Sequence, residues 1–235
     1  ESGLIGASTL VPSFFDGRIL LNIDSEAEGH FTVGCAGGVT SHLTIPVDWT
    51  EAPTHYQLLK VKAGGMTGGH SGDDINAEKA NAIKILAQTL HALKSADIRL
   101  TNLTGGTAHN AIPRDCEAQI LVPHNQIETV KILVLETENR LKFEYSHTDP
   151  KLFITVAGGD KASSQALTSA HTYKVIDVLM VLPHGVAAMS TEIAGVVETS
   201  NNLAGVSIEA DQFKVLTSQR SSRISKLEAL THRIE

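Results

Sequence analysis

Cysteine is almost missing from this chain. Cys35 and Cys116 are the only two in 235 residues, far apart and outside any Cys-x-x-Cys spacing. That pattern argues against a small secreted domain stapled by disulfides and makes a reducing cytoplasm the expected setting. Long apolar runs are missing as well. The longest, VIDVLMVLPHGV, is broken by Asp177 and Pro183, well short of the roughly 20 apolar residues of a membrane span. Positive charge is in the minority, with 19 Lys and Arg against 26 Asp and Glu and a net charge of −7. Nucleic acid is therefore not an expected partner, because it is met by a basic face, and neither is a membrane. No HExxH helix and no closed Cys/His zinc set occurs. No secretory leader opens the sequence, which starts at Glu1 without a methionine and reads as a fragment.

What is present is a folded, mixed composition, 42% hydrophobic and 19% charged. The stretch GRILLNIDSE predicts a short buried strand stopping at Asp24, and YQLLKVKAGG predicts a second strand that runs into a glycine loop. DDINAEKANAIKILAQTLHALKSAD predicts the clearest helix, because Ile75, Ala82, Ile83, Leu86, Leu90 and Leu93 fall on one face. Asp73 or Asp74 is its expected cap. IRLTNLTGG and EAQILVP predict strands on either side of TAHNAIPRD. NQIETVKILVLETENRLK predicts a second helix that buries Ile127, Val130, Ile132, Leu133 and Leu135. SSQALTSAHTYKVIDVLMVLP predicts a third, ending at Pro183. Two or three strands follow, with turns expected at Asn201–Asn202 and Ala210–Asp211, and SRISKLEALTHRIE closes as a helix. Strand–helix–strand–strand–helix patterns recur in both halves. They predict an α+β fold in which an antiparallel sheet carries helices on one face, a lid-type α/β sandwich.

The stretch GGMTGGHSGDDI, residues 64–75, concentrates five glycines around His70. Glycine costs backbone entropy, so such density implies a close approach of the backbone to something. Gly64 to Ser71 differs from a P-loop only in having His70 where the lysine stands. A nucleotide-binding reading is nonetheless rejected. Imidazole lacks the permanent charge of lysine. Lys60 and Lys62 also alternate with Leu59 and Val61, which predicts an edge-exposed antiparallel strand rather than the apolar strand of a parallel sheet. His70 is thus a candidate functional side chain held at a strand tip. Packing within its own turn is the alternative.

Asp24, at the end of an apolar strand, is suited either to hold a divalent ion or to cap the next turn. Glu26, Glu28 and His30 nearby have unspecific spacing and read as surface residues. A complete metal site cannot be assembled from local motifs.

The segments NIDSEAEG, GCAGG, GGHSGDDI, GGTAHNAIPRD and GVVETSNNLAGV occur in that order across nearly the whole chain. Together they resemble the bacterial aminoacyl-histidine dipeptidases (Xaa-His dipeptidases, peptidase D), carnosinase-like di-zinc peptidases of clan MH. The resemblance implies a lid/dimerisation domain over residues 37–235, in two halves of about 37–122 and 123–235, preceded by a piece of the zinc catalytic domain over 1–36. It implies that Glu1 and Asp24 are zinc ligands, with two zinc ions per active site. It implies that His70 stabilises the oxyanion, typically in the partner subunit's site. It further implies that Asn110 and Arg220 hold the substrate's carboxylate. The His-x-Asp motif, the bridging aspartate and the C-terminal histidine ligand of such enzymes are missing. The resemblance therefore predicts a dipeptide substrate, a homodimer, partner segments of catalytic domain and an inactive isolated chain. A non-catalytic binding or dimerisation module with the same lid fold is the alternative.

Overall fold

In a computed structural model the described residues are 9–11, 13–19, 21, 29, 34–159 and 163–235. Glu1, Asp24, Glu26, Glu28 and His30 lie outside them, as does most of the strand expected before Asp24. The chain falls into two compact units, Glu1–Cys35 and Ala36–Glu235. In the first, the rings of Phe14 and Phe15 meet edge to face with centroids 4.9 Å apart.

The second unit is an antiparallel sheet with four helices. In chain order its strands are β1 (Gly37–Pro46), β2 (Trp49–Glu51), β3 (Tyr56–Gly64), β4 (Gly69–His70), β5 (Arg99–Gly105), β6 (Ala111–Ile112) and β7 (Cys116–Pro123). They continue as β8 (Phe153–Gly158), β9 (Gln165–Leu167), β10 (Gly185–Met189), β11 (Val197–Glu209) and β12 (Gln212–Ser221). The helices are α1 (Ala82–Ala92), α2 (Ile127–Glu144), α3 (Ser169–Val181) and α4 (Ile224–Ile234). The main sheet runs β1-β12-β11-β5-β7-β3-β8, with β10 beside β11. The pairs β2–β9 and β4–β6 stand apart from it. Strands from residues 37–122 and from 123–235 share this one sheet. All four helices add side chains to a single apolar core, among them Leu86 and Leu90 of α1, Val130 of α2, Ile176 of α3 and Leu230 of α4.

The six apolar positions expected on the first helix are all buried, but the helix is shorter than its pattern. Ile75–Ala77 forms one 3₁₀ turn, and Glu78 then adopts a left-handed backbone (φ 52°) that stops it. The chain restarts at Asn81, whose side chain accepts from the Ile83 and Lys84 amides. Asn81, not Asp73 or Asp74, is thus the cap. The strand β3 is antiparallel, as expected, but lies inside the sheet between β7 and β8 rather than at its edge. Its lysines are half-buried, and Lys60 pairs with Glu117 of β7 at 3.1 Å. In α2, Val130 is buried while Ile132 and Leu135 remain 56% and 55% exposed. The third helix starts at Ser169, capped by Thr168, because residues 165–167 pair with β2 instead. Ala210 and Asp211 do form the β11–β12 turn, whereas Asn201 and Asn202 lie within β11.

Strand β11 is buried along most of its length and is riveted to its neighbours by side chains. Asn201 Oδ1 accepts from Thr217 Oγ1 at 2.6 Å and from Gln219 Nε2 at 2.9 Å. Ser41 Oγ donates to Gln219 Oε1 at 3.1 Å, so β1 joins the same network. Asn201 Nδ2 donates to the Pro183 carbonyl at 2.6 Å. Lys84 closes the C-terminus of α3 by donating to the carbonyls of Leu179, Met180 and Leu182, which places a cation at the negative end of that helix.

His184 sits between these elements. Its Nδ1 lies 3.2 Å from Asn81 Nδ2 and accepts from the Leu203 amide at 3.3 Å. Burial, followed by the charge of Lys84, pushes its pKa down to about 4. The unfolded chain therefore takes up this proton near pH 6.5, before the folded chain does. Stability is full above that pH and is lost as pH falls from about 6.5 towards 4. Between pH 7 and pH 4.5 this one group is expected to cost about 2 kcal/mol. Urea denaturation of the parent and of His184→Gln at the two pH values isolates the effect, and the variant should show the flatter pH dependence. Equal slopes would assign the acid sensitivity to other groups.

Candidate functional site

The glycine loop positions His70 by pinning its own backbone. The His70 amide donates to Asp74 Oδ2 at 2.9 Å, and Lys79 Nζ donates to Asp74 Oδ1 at 2.7 Å. These bonds, Lys79's first, hold the Asp74 carboxyl below its usual range. Gly69 has φ 153°, and a β-carbon there would lie 2.3 Å from Asp74 Oδ2. Glycine is required at that position for the carboxylate to reach the next amide. The acids read as helix caps thus serve the histidine loop.

The loop lies against the sheet through a second loop. Strand β4 pairs with β6, with His70 opposite Ala111, and the Ser71 amide donates to the Asn110 carbonyl at 2.8 Å. Asn110 is half-buried and its carboxamide makes no hydrogen bond to the described residues. Beneath, Asn202 of β11 donates from Nδ2 to the carbonyls of His109 (3.0 Å) and Ala111 (2.8 Å).

His70 and Arg220, 150 positions apart by number, line one cavity of about 200 Å³ with Gly72, Asp73, Glu198 and Ser200. Arg220 lies on β12 opposite Ser200 of β11 and Gly38 of β1. A β-carbon on Gly72 would sit 3.0 Å from His70 Cε1 and 3.2 Å from Arg220 Nη1. The bare glycine backbone is therefore what lets the imidazole and the guanidinium approach the same point. Glu198 lines this cavity too, but its carboxylate is occupied. Lys226 donates to its Oε1, and Arg223 Nε stands 3.7 Å from its Oε2. The lysine bond is the main cause that holds the Glu198 carboxyl below its usual range. Among the described residues no carboxylate pairs with Arg220, which leaves its fork available to an external anion.

The His70 ring is 43% exposed. Its Nδ1 lies 3.3 Å from the Gly72 amide and 3.0 Å from Asp73 Oδ2. Two ring states satisfy these neighbours with a proton on Nε2. One is neutral, with Nδ1 accepting from Gly72; the other is charged, with Nδ1–H donating to Asp73. In both, Nε2 carries a hydrogen and can donate. Among the described residues, no three His, Cys, Asp or Glu side chains converge to hold a metal. No described helix is long and apolar enough to cross a membrane.

Asn202 and Glu198 were not singled out by the sequence. Adjacent asparagines resemble a turn, and a strand glutamate resembles a surface charge. Only the alternation of β11, with Glu198, Ser200 and Asn202 two residues apart, offered a signal.

Residues 62–149 match the peptidase dimerisation domain. The cytosol non-specific dipeptidase of Escherichia coli is 34% identical over 219 residues, 92% of this chain and 44% of that protein. The aminoacylhistidine dipeptidase structure from Vibrio alginolyticus is 31% identical and superposes with a TM-score of 0.88, covering 100% of this chain and 48% of the other. The chain thus spans about half the length of the relatives it matches.

Proposed function

We propose, on the premise that the chain belongs to the aminoacylhistidine dipeptidase family, that it closes over and binds the substrate of a zinc-dependent cytoplasmic peptidase. The substrate class is dipeptides with a C-terminal histidine. In this reading residues 37–235 are the lid and 1–36 belong to the catalytic domain, with Glu1 and Asp24 as zinc ligands. Among the described residues no set of metal-ligating side chains converges. When bound, zinc supplies an activated water and a polarised carbonyl.

The observation that carries the reading is the approach of His70 and Arg220 to one cavity on either side of Gly72, with the guanidinium unpaired among the described residues. A dipeptide has two features that internal peptide segments lack together: a scissile carbonyl and, one residue away, a free carboxylate. The Arg220 fork is suited to the carboxylate, with the Asn110 amide as a further donor. The Nε2–H of His70 is suited to the charge that grows on the carbonyl oxygen during attack. Because its backbone is fixed by Asp74 and by the loop of Asn110, it stabilises that charge without reorganising. Glu198, neutralised by Lys226 and Arg223, does not compete for Arg220. Lid closure would bring these groups to the reacting atoms only when substrate is present, excluding water.

A homodimer completes the proposal. Ile132, Leu135 and Phe143 of α2 share one helix stripe and are 56%, 55% and 86% exposed, which suits a partner surface.

The test compares hydrolysis of Xaa-His dipeptides by two zinc-supplemented proteins: this chain alone, and this chain joined to catalytic-domain sequence on both sides. Turnover only by the second is expected, since a co-catalytic site needs about three protein ligands per zinc. Cleavage by the isolated chain would overturn the division of labour. Inactivity of both towards every dipeptide would leave a non-catalytic module of the same fold.

A further inference from the structure

We propose that Asn202 is a positioning residue: its carboxamide ties the paired loops that carry His70 and Asn110 to the central strand of the sheet, and so sets where both side chains stand relative to Arg220. This inference rests on the functional reading above for its catalytic consequence, but not for its structural content.

Asn202 is 2% exposed, within the buried stretch of β11. Its carboxamide is used asymmetrically. Both of its hydrogens are spent, on His109 O and Ala111 O, the carbonyls on either side of Asn110. Among the described residues its oxygen Oδ1 has no partner. An unsatisfied buried acceptor is a cost, so what retains the side chain here is its two donors. No other residue type of this size offers two donors on one nitrogen without charge.

The bonds do more than fill valences. The segment 107–110 lies between β5 and β6 and its own internal bonding is sparse, a turn bond from the Ala111 amide to Ala108 O at 3.2 Å. The histidine loop depends on this segment in turn, through the Ser71 amide on Asn110 O and the pairing of His70 with Ala111. Load therefore passes from β11 through Asn202 to the Asn110 loop, and from there to His70. Arg220 is fixed to the same strand from the other side, opposite Ser200, two residues from Asn202. The three groups are thus referenced to one three-residue span of β11, Ser200 to Asn202.

Hydrogen exchange of this chain measures the tether directly. In Asn202→Leu, which keeps the branched side-chain shape and loses both donors, the Ser71 and Ala111 amides should exchange about 10–30-fold faster. The β3–β7 amides, such as Val61 and Ile120, should keep the parental rate. Asn202→Ser, too short to reach either carbonyl, should behave alike and covers the case in which leucine does not fold. Unchanged Ser71 and Ala111 amides, or an acceleration shared by β3 and β7, would overturn the tether. In the active full-length protein both variants should lower kcat and raise KM for dipeptides about tenfold or more. If exchange responds and no dipeptidase activity exists to be lost, the functional reading has failed and the tether stands.

Discussion

If the proposed function holds, replacing His70 by alanine in the full-length protein should lower kcat about 10²–10³-fold, the usual cost of losing one oxyanion donor, and leave bound zinc unchanged. The split follows from geometry. The His70 side chain meets Gly72 and Asp73 and shares a cavity with Arg220, and among the described residues no cluster of metal-ligating groups occurs. The loop itself should survive, because it is held by the His70 backbone on Asp74 and by Ser71 on Asn110, neither of which uses the imidazole. Steady-state kinetics and metal analysis on the same preparation check both halves. Normal turnover would remove His70 from the chemistry; loss of zinc would make it a ligand. A glutamine at the same position, still a donor, should recover part of the rate.

On the same reading, Arg220→Ala should raise KM for dipeptides about 10- to 100-fold, the range expected when a charge-assisted bond to a carboxylate is lost. The sharper form of this prediction pairs the protein change with a substrate change. Amidating the dipeptide's C-terminus should weaken the parent by a similar factor but weaken Arg220→Ala hardly further, because both changes remove one interaction. Fully additive losses would place the guanidinium elsewhere. Arg220 is suited to this assay because it has no ion pair to lose among the described residues. Of the two acids lining its cavity, Glu198 is already held by Lys226 and Arg223, and Asp73 stands 3.0 Å from His70 Nδ1.

How much of this was readable in advance depended on range. The apolar face of α1 was legible because a period of 3.6 is a local property, and all six of its expected positions are buried. Its start was not. Acids ahead of an apolar run look like caps, and nothing in DDINAEK announces that Glu78 takes a left-handed backbone and ends the first turn. Alternation marked β3 as antiparallel but could not tell an edge from an interior strand, since half-buried lysines paired to β7 resemble solvated ones. In α2 the pattern offered more apolar residues than the core accepts, and Ile132 and Leu135 stay outside. For the site, the glycine density around His70 was a local signal that the backbone comes close to something. That the something includes Arg220, and that Asn202 lies beneath, depends on contacts across 90 residues or more, and no local pattern encodes them. Glu1 and Asp24 lie outside the described residues.

The rivets between β11 and β12 have a bearing on how reliably the lid assembles. A strand that slips by one residue presents its opposite face. Here a slip would turn Arg220 away from the histidine loop. It would also separate Asn201 from Thr217 and Gln219, and Gln219 from Ser41, leaving several polar groups stranded in an apolar interior. Each stranded group costs about 1–3 kcal/mol, so a misaligned sheet is far less stable than the correct one. Polar pairs that contribute modestly to the finished fold thus act as a proofreading key, and the arginine inherits its fidelity from the opposite face of its own strand.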